Sequence, residues 1–164
     1  MAVLTICKYP DPILRRKAAP LEEISDEDKL LIKGMIETMR SSGGVGLAAN
    51  QVGVSKRIFV FNPFPQEEWK ADALINPVII KRDGAEKIEE GCLSLPGVAA
   101  DVRRYNRVTA KGLDINGKPV RFEAKGLLAR IIQHEIDHLD GKLFVDRLNA
   151  VRKAMILRKF RRLS

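Results

Sequence analysis

Only two cysteines, Cys7 and Cys92, occur in 164 residues, which excludes a disulfide scaffold and makes free thiols in a reducing, cytoplasmic compartment the expectation. No apolar run approaches the ~20 residues of a membrane-spanning helix, so no membrane partner is expected for the body of the chain. The opening Met1-Ala2-Val3-Leu4-Thr5-Ile6-Cys7 has neither the basic region nor the cleavage site of a signal peptide. Internal repeats, low-complexity tracts and linkers are missing too, which argues for one domain over 1–164. Histidine is limited to two residues, no glutamate follows Glu135, and no acid follows Asp146. Each of these gaps narrows the chemistry.

Hydrophobic residues make up 45% and charged residues 30%, a globular composition. The net charge of +8 is concentrated at one end. Up to Asp146 there are 22 Lys+Arg against 21 Asp+Glu, whereas 147–164 carry seven basic side chains and no acid. A basic C-terminal helix from about residue 147 is expected, with Leu148, Val151, Met155 and Phe160 as its apolar seam and most of its cations turned outward. A docked helix with a solvated face accounts for this, and a polyanionic partner such as RNA or a membrane surface is the sharper alternative.

Ser25 caps an expected helix with an acid-rich first turn, ended by Gly43-Gly44. Strands are predicted over 57–61, 73–80, 86–92 and 98–103, and Asn116-Gly117 predicts a hairpin joining 107–115 to 119–124. A helix from about Gly126 and the basic helix complete the chain. Strands and helices seldom alternate, so the expected class is α+β, with mostly antiparallel sheets packed around a central metal-binding helix flanked by the N-terminal and basic C-terminal helices.

The two histidines are the centre of the chemistry. In His134-Glu135-Ile136-Asp137-His138 they stand at i and i+4, so two imidazoles share a helix face and Glu135 reaches a water beside the ion they would hold. Leu127, Ile131, His134 and His138 follow one helical stripe, widened by Leu128 and Ile132, which turns the ligands inward. A catalytic tetrahedral ion needs three protein ligands and one open position. The absence of a later glutamate excludes a thermolysin-like third ligand, and Phe144 occupies the place of the third metzincin histidine. Asp146, Asp140 or a residue elsewhere remains, with Cys92 in Glu90-Gly91-Cys92-Leu93-Ser94 the best placed, since a thiolate binds Zn or Fe(II) well. Cys7 is expected to be a buried hydrophobe in an edge or core strand. Asp137 reads as a solvated acid or as a partner of a neighbouring ligand or arginine. The small-residue run Gly43 to Gly53 permits close backbone approach, and Gln51 within it offers an amide to a carbonyl; without a Lys-Ser/Thr ending it is not a phosphate loop.

With three segments, Gly44-Val45-Gly46-Leu47-Ala48-Ala49-Asn50-Gln51, Glu90-Gly91-Cys92-Leu93-Ser94 and His134-Glu135-Ile136-Asp137-His138, the chain resembles the peptide deformylases. The similarity extends through Asp11 to Arg15, Ile75-Asn76-Pro77 and the Asp114 to Gly117 turn, and departs where Asn50 replaces an expected Pro or Thr. The resemblance implies hydrolysis of the N-formyl group from formyl-methionine on new polypeptides. It implies that Cys92, His134 and His138 bind one metal ion, that Glu135 handles the proton, and that Gln51 and the backbone N–H of Leu93 polarise the formyl oxygen. Val45, Gly46, Glu90 and Ile131 are implied to form the methionine pocket and hold the peptide backbone. The implied metal is Fe(2+), with Ni, Co or Zn able to substitute, and the expected protein is a cytoplasmic monomer acting on N-formylmethionyl peptides. DNA is not an expected partner, and the basic helix is the candidate contact to a ribosome. Two rival readings are an H-E-x-x-H endoprotease and a protein with a structural metal and an RNA-gripping tail. The second lacks a fourth ligand.

Overall fold

A computed structural model describes residues 3–164; of the N-terminal segment read above, Met1 and Ala2 lie outside the described residues. Helix α1 (Asp26–Ser41) opens with a reciprocal cap, in which Ser25 Oγ accepts from the Asp28 N–H at 3.1 Å and Asp28 Oδ2 accepts from the Ser25 N–H at 3.0 Å. Strands β1 (Gly46–Ala48), β2 (Ile58–Phe61), β3 (Asp72–Asp83), β6 (Arg107–Leu113) and β7 (Pro119–Lys125) form one sheet in that spatial order. Strands β4 (Glu86–Gly91) and β5 (Ala99–Arg104) form a separate hairpin. Every strand pairing is antiparallel. Helices α2 (Gly126–Leu139) and α3 (Ala150–Leu163) complete the α+β architecture.

The period of β2 decides how the layers stack. All four of its residues are buried; Phe59 and Phe61 join Ile131, Ile132 and Leu139 of α2, whereas Ile58 and Val60 join Ile32, Met35 and Met39 of α1. The large sheet therefore lies between two helices, and α2 faces both the sheet and the interior. A third apolar cluster gathers Leu14, Leu95, Val102 and Phe144 with Leu157 and Phe160 of α3, fastening the β4–β5 hairpin.

Three expectations are corrected. In the β6–β7 turn, Asp114 Oδ1 accepts from the N–H groups of both Asn116 and Lys118 at 2.9 Å, which ends β6 at Leu113 rather than at residue 115. Cys7 lies outside any strand and is half-buried; its N–H donates to the Gln51 carbonyl at 2.7 Å, and burial, then Asp11, pushes its thiol pKa up. Val151 and Met155 are 70% and 65% exposed and fall out of the expected seam, whereas its other two members, Leu148 just ahead of α3 and Phe160 on it, do pack into the core. Ile156 and Leu157 join Phe160 in docking the helix, Phe160 packing edge-on against Tyr9, and α3 begins at Ala150 under an Asn149 cap.

Asp146 binds these parts together: it accepts from Lys153 Nζ at 2.7 Å and from the Leu143 N–H at 2.9 Å, and pairs with Arg15. Burial pushes its carboxyl pKa up, but Lys153 and Arg15 outweigh this and hold it below the ordinary 3.8. A depressed folded-state pKa gives stability that is present above 3.8 and lost as pH falls through the folded value. Asp146→Asn is expected to lower the melting temperature by ~2–4 °C at neutral pH, for a contribution of up to ~1 kcal/mol. The difference should vanish in the acid limb; an offset that persists there would mean that packing, not charge, holds the helix.

Candidate metal centre and active-site cleft

Helix α2 carries His134, Glu135 and His138, and the turn after β4 delivers Cys92 from the other side. His138 Nε2 lies 3.1 Å from His134 Nε2 and 3.3 Å from Cys92 Sγ, and all three ligand atoms fall within 4.8 Å of one another. Tetrahedral bonds of ~2.0–2.1 Å to nitrogen and ~2.3 Å to sulfur would separate two nitrogens by ~3.3 Å and a nitrogen from the sulfur by ~3.6 Å. The two separations from His138 stand a few tenths of an ångström inside those values and the remaining pair lies within 4.8 Å, so the set fits one divalent ion. Asp140 is paired with Arg57 at 3.0 Å and Asp146 with Lys153, and neither belongs to the cluster.

The orientation of His134 is fixed from behind. Its Nδ1 lies 2.6 Å from Glu90 Oε1, so this nitrogen donates and Nε2 is left facing the other two ligands. Burial pushes the His134 pKa down, but hydrogen bonds to Cys92 and Glu90 outweigh it and raise the value well above the ordinary 6.5. His138 goes the other way, held well below 6.5 by burial and by its charged neighbour His134.

Glu90 is the residue whose placement departs most from its expected role. It borders the cleft, but both carboxylate oxygens are engaged: Arg104 binds them at 2.6 and 2.9 Å, and Arg130 adds a 2.6 Å contact. Burial pushes the Glu90 carboxyl up, yet the contacts from His134 and Arg104 hold it well below the usual carboxylate range. Arg104 continues to Asp137 at 2.8 Å, and Asp137 to Arg147 at 2.6 and 3.0 Å. Asp137 is thus an arginine partner, not a solvated acid.

Of the expected site residues, Val45, Gly46, Gln51, Glu90, Cys92, Leu93, Ile131, His134 and Glu135 all line one cleft of about 420 Å³, and His138 lies buried behind it. Gln51 Oε1 accepts from the Ala48 N–H at 3.0 Å, which turns Nε2 toward Ser94 Oγ at 3.0 Å and Cys92 Sγ at 3.6 Å. Glu135 is 3% exposed, and its Oε1 has no protein partner among the described residues. Burial, ahead of the opposing charge of His134, raises its carboxyl pKa to about 7. Within the small-residue run, position 46 has to be glycine: a Cβ there would stand 2.5 Å from Glu135 Oε2.

Arg104, Arg130 and Ser94 were missed from the sequence. Arg104 had a signal, because β5 buries Ala100, Val102 and Arg104 on one face, and a charge on a buried face demands partners. Arg130 stands one turn before His134 on α2. Ser94 had no comparable cue.

Three ligand donors beside an unpaired, buried glutamate in an open cleft define a metal-dependent hydrolase. The family model described as Polypeptide deformylase matches residues 3–154, and the chain belongs to that family. A peptide deformylase of Thermodesulfovibrio yellowstonii is 49% identical over 162 residues, covering 98% of each chain. The crystal structure of a peptide deformylase from Legionella pneumophila superposes with a TM-score of 0.93 at 42% identity, covering 99% of this chain and 95% of that one. That of Ehrlichia chaffeensis peptide deformylase in complex with actinonin gives 0.93 at 37% identity, covering 100% and 99%.

Proposed function

We propose that this chain hydrolyses the formyl amide at the N-terminal formyl-methionine of newly made polypeptides, releasing formate and a free amine. The observation that carries the reading is the Cys92, His134 and His138 cluster with Glu135 beside it in the cleft. One ion held by those three donors would supply an electrophile for the formyl oxygen and a water acidified toward pH ~7.

The chain's own residues account for the rest. Glu135 takes a proton as water adds to the formyl carbon, then passes it to the amine nitrogen as the carbon–nitrogen bond breaks; a carboxyl near pH 7 suits both transfers. Gln51 Nε2 and the Leu93 N–H serve the developing oxyanion; the Leu93 N–H has no protein partner among the described residues. Val45, Gly46 and Ile131 border the space for methionine. β1 and β4 are edge strands and both border the cleft, so their unpaired backbone groups suit an extended peptide. Glu90 supports His134 rather than touching substrate.

Iron as Fe(2+), one ion per chain, is the metal we assign, with Ni, Co or Zn as substitutes; the donor chemistry of one thiolate and two imidazoles supports it. Two free thiols support a cytoplasmic setting, and no helix is long and apolar enough to cross a membrane. Formyl-Met-Ala should release formate while acetyl-Met-Ala stays intact; activity lost in air should persist longer after cobalt or nickel exchange. Equal cleavage of the two peptides would refute deformylation in favour of a general peptidase, and equal lifetimes in air and argon would refute iron.

The ribosome is the partner we assign to the exposed cations of α3, Arg158, Lys159, Arg161 and Arg162. Leu157 and Phe160 belong to the core, so truncation from Val151 would unfold part of the protein; substitution of the four cations by serine is the clean test. It should weaken ribosome association in low salt while sparing turnover of a short peptide. Undiminished association would make the helix purely structural.

A further inference from the structure

We infer that a second cleft, on another face of α2, binds phosphate groups. At 100° per residue, Gln133, Ile136, Asp137 and Asp140 point well away from the face of Ile131, His134 and Glu135, and they border a separate cavity of about 340 Å³ between β3, β5 and the end of α2.

Five cationic side chains converge on this cavity. Arg104 and Arg147 are committed to Asp137, and the other carboxylate, Asp140, is committed to Arg57. That leaves Arg82 at the end of β3, Arg103 on β5 and Lys142 just past α2, all three exposed and in no ion pair among the described residues. The folded chain thus gathers three uncompensated like charges in a concave polar site. Up to Asp146 its charges nearly balance, so this is not a spill-over of general basicity. The C-terminal end of α2 contributes only about half a negative charge and does not offset them.

The chemistry selects the ligand. Guanidinium forks match phosphate oxygens in pairs, and an ammonium adds a point charge. Such a phosphate comes from a small phosphorylated molecule or from an RNA backbone, since a single-stranded segment could enter the cleft beside Arg147, close to the start of the basic helix. The inference is independent of the deformylase reading, because no residue tested here lines the metal cleft.

The test uses metal-loaded protein titrated with inorganic pyrophosphate and, separately, with a single-stranded RNA dodecamer, against Arg82→Ser/Arg103→Ser/Lys142→Ser. Saturable pyrophosphate binding that weakens on the order of tenfold or more in the variant, with formate release unchanged, supports a small-molecule source. RNA binding alone, with a slope of log affinity against log salt shallower by ~2 in the variant, supports a backbone source, at ~0.7 per phosphate neutralised. Single Arg103→Gln, read by the same titrations, guards against a folding defect in the triple variant. Absence of binding by either probe overturns the proposal. So does binding that the substitutions leave intact, including RNA binding lost only when the α3 cations are replaced.

Discussion

Glu135→Gln is expected to retain its metal and its fold while formate release from formyl-Met-Ala falls by ~10²–10⁴-fold. Glu135 contributes nothing to the ligand cluster, which consists of Cys92, His134 and His138, so metal content measured after anaerobic purification should match the parent. The carboxylate is nearly inaccessible, its Oε1 has no protein partner, and burial raises its pKa to about 7. Maintaining an unpartnered carboxyl in such a place costs stability, and the isosteric amide removes the charged form that burial disfavours. The variant should therefore melt at the same temperature as the parent or slightly above it. Stability held or gained, metal kept and turnover lost is the pattern of a group retained for proton transfer. If Glu135→Gln kept most of its activity, the proton would have to travel through another group, and among the described residues no other unpaired carboxylate borders the cleft with comparable burial, Glu89 being exposed and Glu90 paired.

The metal centre was legible because its signals are local or countable. His134, Glu135 and His138 sit within five residues, and with only two histidines and no later glutamate the search for a third ligand narrows to a few residues. Helix α1 was legible for the same reason, its capping residues being three apart. The network behind the metal was not. Arg130 and Glu90 are 40 residues apart and Arg104 and Glu90 are 14 apart, and in sequence each looks like a surface charge. Only folding the β4–β5 hairpin onto α2 turns them into a compensated cluster.

Helix α3 misled for a related reason. Its apolar residues are dense enough to support two stripes. Val151 and Met155 are one turn apart, and so are Ile156 and Phe160. The choice was made by Tyr9, Leu14, Leu95 and Val98, whose cluster receives Leu157 and Phe160 from more than fifty residues away. β1 was hidden because three residues beginning with glycine carry no strand period; its pairing with β2, Gly46 opposite Phe61, makes it a strand. Residues that meet at one cleft could thus be read from the sequence while the groups that hold them there stayed hidden.

Gly46→Ala should separate the catalytic geometry from the metal more sharply than any ligand substitution. The added methyl would stand 2.5 Å from Glu135 Oε2 and 2.9 Å from its Cδ, closer than real carbon contacts allow, so one of the two residues must move. Gly46 is held by its ladder to Phe61, whereas the Glu135 side chain has no partner at Oε1 to resist displacement. The carboxylate should therefore swing away while β1 stays in register. Displacement of a proton-transfer group by about 1 Å can cost on the order of 10²-fold in rate. The expected result is a fall of ~10²-fold in kcat, unchanged metal content, and a shift in melting temperature of only ~2–4 °C. Combining Gly46→Ala with Glu135→Gln tests the cause directly: a methyl that acts only by displacing the carboxylate should have almost no further effect once the carboxylate is gone. Fully multiplicative losses in the double variant would place the damage elsewhere, in the backbone edge of β1 against which the peptide is aligned.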